Sequence, residues 1–505
     1  MICRVELRTC TFSADAFEHE VRRASDIDPS QEVPDQVRYL VEYLRHAEMA
    51  AQGLLVEDPY VDRHFLTEFQ GYYSTTLRPP SSKTVRIHVF DCPVELADLK
   101  QRLLDPPSRA GLKAHLQAHY LGFVVVRPLP TAPIGRTVLR WYRGSPSRMF
   151  GPQPPPHRVH LLGLGLEVHG VQFQQQDRAV GACATAAVWC ALAATVRRDG
   201  GRSPTPLAVT EAANRSLPRG RALPAASGLT LEQMVGAINA LACSPDLFKP
   251  AGDATLFLLQ LLTYLRSGIP VVLQLADPMA PGAAHAVAVV GFRSSDGEEA
   301  APELEHRLTE SHVVRCAGIT RLYLHDDRLG PYARFVWDPG AEEDGPAVGF
   351  KPYGAGFDQY VGKLAVWNAV APLYPKIRIS AYDLYSVASE VWPIAVWLCK
   401  SEDRQGLRLE PFFVHSGAYL ESLYALPLGV RAVEAACSLL LSRYVGVLRF
   451  SVGTVWFLDV VCDATDVHRE KPRLASVLVM LAADPQTAAD LREAAEKQYP
   501  HVRVF

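Results

Sequence analysis

Apolar positions recur at helical spacing from Val37 to Leu55, which predicts an amphipathic helix there. Short apolar runs at Val85–Phe90 and Gly122–Val126 predict strands, with helical stretches between them. Tyr120–Pro128 and Val455–Val461 read as buried strands, and Asp459 inside the second requires a partner. Beyond residue 341 the spacing predicts helices at 380–399, 430–442 and 486–497, and strands at 445–451, 454–461 and 475–481. Two breaks divide the pattern. Gly151–His157 is proline-rich and can continue neither a helix nor a central strand, and Trp337–Gly340 is turn-rich and followed by acidic Glu342–Asp344. An α+β protein in three regions is therefore expected: 1–160 (α+β), 161–340, and 341–505 (α/β).

The bulk chemistry narrows the partners. With 51 basic and 54 acidic side chains the net charge is −3, so no basic surplus argues for nucleic acid. Met1–Glu20 is charged and lacks an apolar secretory core, and no run is long and apolar enough to span a membrane. The ten cysteines are scattered without a CxxC pair, which argues against a zinc ribbon and fits reduced thiols in a cytoplasm.

The candidate chemistry lies in the middle region. Gln174–Gly181 leads into a small-residue run, Ala182–Val196, that predicts a buried helix beginning near Cys183. Arg197–Arg198 and Gly200–Gly201 close it. A cysteine in the first turn sits beside unpaired N–H groups and the positive end of the helix dipole, which favour the nucleophilic thiolate. Cys190, two turns on, reads as core. His285 opens a second apolar strand, His285–Phe292, after the strand that follows Gly268-Ile-Pro270. On the next strand, Arg321–Asp327, alternation puts Leu322, Leu324 and Asp326 on one face. If that more apolar face meets the Cys183 helix, Asp326 turns toward the histidine, where it would orient the imidazole. His325 then falls on the opposite face, as a surface residue. Between the two strands, the charged segment Arg293–Thr320 reads as a solvated excursion.

This ordered set resembles the papain-like cysteine peptidases, and most closely the branch related to bacterial double-glycine leader peptidases. The intervening Gly228–Gln233, with a Thr230/Gln233 capping box opening a helix, fits as well. The resemblance covers about residues 170–336. It implies a papain-like central domain with a catalytic triad of Cys183, His285 and Asp326, acting on a protein or peptide without metal or other cofactor. It also implies an oxyanion-hole glutamine six residues before the cysteine. Asp177 occupies that position, so Gln176, or Gln175 behind it, is the candidate. Ala184 and Asp327 stand where those peptidases usually have glycine and often have proline. The implied reaction is hydrolysis of a peptide or isopeptide bond, with flanking regions that recognise substrate or a regulatory partner. Acyl transfer to an amine, as in transglutaminases, and a catalytically silent binding module are the alternatives.

Overall fold

The computed structural model describes residues 4–145, 147–177, 179–215, 228–250, 254–276, 284–295, 301–309, 312–338, 349–352, 364–399, 406–425, 439–453, 455–465, 477–480, 493, 497 and 503–504. The protein is mixed α and β. Among the described residues no helix is long and apolar enough to cross a membrane.

The first region is an antiparallel five-stranded sheet in chain order: Glu6–Thr11, Gly53–Tyr60, Thr84–Phe90, Tyr120–Val126 and Ile134–Leu139. The predicted strands are present, and the helices Leu96–Leu104 and Pro106–His119 lie between them. The predicted helix is shorter than its pattern. It runs Asp35–Arg45, and Leu54, Leu55 and Val56 belong to a strand flanked on both sides by partners. Helical spacing persists across residues that are apolar because both faces of the sheet are covered. On one face the sheet packs against Phe17, Val21, Leu40 and Leu44. On the other it meets Leu112, Leu116 and the hairpin His157–Leu161/Leu164–Val168, so the hairpin continues this region past residue 160. Leu162 and Gly163, both at positive φ, make its two-residue turn.

The central region is a closed antiparallel barrel. Val271–Ala276, Ala284–Ser294, Ile319–Asp326, Gly330–Asp338, Gly349–Pro352 and Leu364–Leu373 pair in that order, and the last returns to the first. Closure leaves no exposed edge on this path. The barrel thus runs to residue 373, past the expected boundary near 340. Helix Cys183–Arg198 packs across its outside: Ala184, Ala187, Val188 and Ala191 share a core with Ala286, Ala288, Val290, Tyr323 and Tyr332. That core also holds the first sheet's inner face, which ties the first region to the second. Leu322 and Leu324 belong to a different core, with Leu273, Val287, Val289 and helix Ala254–Arg266.

The third region adds the sheet Leu407–His415, Tyr444–Val452, Val455–Asp463, Val477–Met480 and Arg503–Val504, with helices Ala381–Leu398 and Ser416–Tyr424. The helix expected at 430–442 lies largely, and that at 486–497 almost entirely, outside the described residues. Asp459 has its partner: Arg449 grips it through two hydrogen bonds, 2.8 and 2.7 Å, and the Tyr419 hydroxyl donates at 3.1 Å. Within the charged segment between the His and Asp strands, Leu304–Thr309 and His312–Cys316 form a hairpin rather than a solvated loop. Val314 and Cys316 are buried in the core shared with the third region, and the Cys316 thiol donates to the Leu409 carbonyl at 2.8 Å.

Candidate active site

Cys183 is the first residue of its helix and is only partly buried. The N-cap, Ala182, supplies no side-chain acceptor, so among the described residues the first-turn N–H groups are uncapped by it and suit an anion. The approach to the helix is held from beneath by Asp177. Its Oδ1 accepts from the N–H groups of Ala179, Val180 and Gly181 at 3.0, 2.9 and 2.7 Å. Oδ2 accepts from the Tyr73 hydroxyl at 2.8 Å, and the buried Arg127 guanidinium lies 3.6 Å away. Thr210 donates to the Val180 carbonyl at 2.8 Å and locks the same turn.

His285 is fully buried, and its Nε2 lies 3.0 Å from Oδ1 of Asp326, itself fully buried. Among the described residues Nδ1 has no partner at full hydrogen-bond geometry, while Cys183 interacts with the imidazole and favours its protonated form. The two observations describe a contact looser than a full hydrogen bond. Burial alone would keep the imidazole neutral. The Asp326 charge and hydrogen bond, with Cys183 and Asp327 adding to them, outweigh it and hold His285 well above its ordinary pKa. Cys183, His285 and Asp326 are therefore brought together, from a helix and two adjacent strands.

The route to Asp326 differs from the one expected. The Leu322–Leu324 face does not meet the Cys183 helix; Tyr323, on the other face, does. His285 falls in phase with Val287 and Val289 on its strand, and histidine and aspartate meet where one strand begins and the other ends. A register shift between Leu324 and Asp326 marks the irregularity where the strand ends. His325 is buried, not at the surface: its ring packs edge-on against Phe173 and Tyr332, and Nδ1 lies 3.2 Å from the Gln172 carbonyl.

The glutamines separate cleanly. Gln175 is buried, with Oε1 accepting from the Ile134 N–H at 3.2 Å, and Gln174 donates to Glu68 at 2.8 Å. Gln176 is half-buried and makes no hydrogen bond among the described residues, which leaves its amide available to a ligand.

Sequence inspection missed what holds the aspartate turn. Gln36, on the first region's helix, donates to the carbonyls of Asp327 and Arg328 at 2.8 and 3.0 Å. The Tyr39 hydroxyl donates to Pro331 at 3.0 Å, and its ring lies so close to Gly330 that a Cβ there would be 2.1 Å from it. Both residues lie about 290 positions away in sequence, where no local pattern links them to the site. The donor atoms of His285, Asp326 and Asp327 lie within 4.8 Å of one another, near enough to meet at one cation. The 3.0 Å separation of His285 and Asp326 is equally that of a direct hydrogen bond, and this needs no cation.

Neither a protein-family model nor a curated protein matches the sequence.

Proposed function

We propose that the protein is a papain-like cysteine hydrolase that cleaves a peptide or isopeptide bond at Cys183. The observation that carries this is the fully buried His285. Asp326 at Nε2 favours its charged form, Nδ1 has no hydrogen-bond partner among the described residues, and Cys183, at an uncapped helix start, interacts with the ring. A buried imidazole held toward its protonated form beside a thiol is the arrangement that a thiolate–imidazolium pair requires.

In the proposed reaction the Cys183 thiolate attacks the carbonyl carbon and the carbonyl electron pair moves to oxygen. The Cys183 backbone N–H and the Gln176 amide receive that oxyanion. Collapse expels the amine, which takes the proton from His285, and leaves an acyl thioester on Cys183. Water, deprotonated by His285, then releases the acid and the free cysteine. Asp326 keeps the ring oriented through both steps. The first region, which grips both the Asp177 loop and the aspartate turn, supports a role as a positioning platform.

The test is selective labelling of the full chain with iodoacetamide across pH, mapped to each cysteine by mass spectrometry. Cys183 should react fast at pH values where an ordinary thiol is protonated, and His285→Ala should abolish that phase. Equal labelling of Cys183 and the other accessible thiols with ordinary pH dependence would refute the proposal.

A further inference from the structure

Asp327 is the most poorly explained polar side chain near the site. It is 3% exposed, and neither carboxylate oxygen has a hydrogen-bond partner among the described residues. An aspartate in a turn ordinarily caps a nearby N–H, but here Asp326 does so, accepting from Arg328 N–H at 3.0 Å. What Asp327 does face is the catalytic ring: its Oδ1 lies 3.7 Å from His285 Nε2, beside the atom that bonds Asp326. A buried carboxyl with no hydrogen bond among the described residues, 3.7 Å from the nitrogen of the proposed catalytic imidazole, calls for a chemical reason.

We propose that Asp327 is a positioning residue for the proposed hydrolase, a second carboxylate that holds His285 as imidazolium into the alkaline range. The inference rests on the cysteine-hydrolase assignment and adds to it. Among the described residues, the groups around Asp327 are few. His285 faces it from the strand Ala284–Ser294, Asp326 and Arg328 from its own turn, and Cys190 from the Cys183 helix. The helix Asp35–Arg45 contributes the uncharged Gln36 amide, bonded to the Asp327 carbonyl. Burial, reinforced by Asp326 and opposed by His285 and Arg328, pushes Asp327 up to about 7. Below neutrality it is therefore a neutral carboxyl, and Asp326 alone balances the ring. As pH passes neutrality it becomes charged, and a second anion arrives where the imidazolium would otherwise begin to lose its proton.

The experiment compares wild type with Asp327→Asn in the full chain, measuring the rate of Cys183 alkylation by iodoacetamide as a function of pH. At about pH 5 the two should agree within about twofold, because both carry an uncharged side chain there. The alkaline limb, where the ion pair is lost, should move down by about 1 to 3 pH units in the variant. An unchanged alkaline limb, or a uniform drop at every pH, would overturn the proposal, since a packing role lowers the rate everywhere. If circular dichroism finds Asp327→Asn unfolded, the smaller Asp327→Ser makes the same comparison. Stoichiometric zinc in the purified protein, with a wild-type profile altered by EDTA, would also overturn it, by making a cation the charge that Asp327 answers. Absence of any fast Cys183 phase in wild type would refute the hydrolase assignment, and this inference with it.

Discussion

Asp177→Ala should cost the protein more than any other single change in the loop before Cys183. The side chain is 1% exposed and serves three backbone N–H groups, the Tyr73 hydroxyl and the Arg127 guanidinium. Truncation leaves those donors without their acceptor and leaves Arg127 with Glu68, 3.5 Å away, as its one acidic partner among the described residues. Breaking a buried charged cluster from one side costs about 3–5 kcal/mol, a large share of the roughly 5–15 kcal/mol by which folded domains are stable. Asp177→Asn keeps the Oδ1 acceptor for the three loop N–H groups but loses the charge facing Arg127, so it should destabilise the protein less than alanine does. Urea unfolding followed by tryptophan fluorescence reads both, with Trp189 buried on the Cys183 helix as a local reporter. The alanine variant should also label more slowly at Cys183, because the loop that sets the helix start has lost its anchor. An alanine variant within about 0.5 kcal/mol of wild type would refute the reasoning.

Three further outcomes are expected. Gln176→Ala should lower the affinity for a peptidyl aldehyde, whose hemithioacetal oxygen needs the oxyanion donors, by roughly 10- to 1000-fold. Its iodoacetamide rate, which needs no such donor, should stay near wild type. His325, pushed down to about 3 by burial against the opposing Gln172 contact, is neutral in the folded protein and protonates readily when unfolded. Its folded pKa is depressed, so the unfolded state binds more protons and stability falls as pH drops from the unfolded value near 6.5 toward 3, by up to about 1.4 kcal/mol per pH unit. His325→Phe should flatten that acid dependence in urea titrations at stepped pH. Finally, Arg449→Met or Asp459→Leu alone should destabilise the third region by about 3–5 kcal/mol. The double variant Arg449→Met/Asp459→Leu should recover most of the loss, which a double-mutant cycle in urea measures.

Local chemistry was legible wherever the cause of a structure lies within a few residues. The small-residue helix starting at Cys183 and ending before Gly200, and the Thr230/Gln233 capping box, follow from backbone groups seeking partners near at hand. The strands carrying His285 and Asp326, and the need of Asp459 for a partner, could likewise be read from alternation and from one charge in an apolar run. Other features depend on residues distant in the chain. Barrel closure through Leu364–Leu373, the face of the Asp326 strand that meets the helix, and the burial of His325 are set by which surfaces come together. The same is true of the first region's hold on the site, because Gln36 and Tyr39 reach a turn almost three hundred residues on. The sequence by itself determined which side chains could do chemistry and which elements carry them. Only the tertiary structure decided that Asp177 anchors the loop while Gln176 is left free, because a polar side chain's role depends on which distant donors and acceptors fold against it.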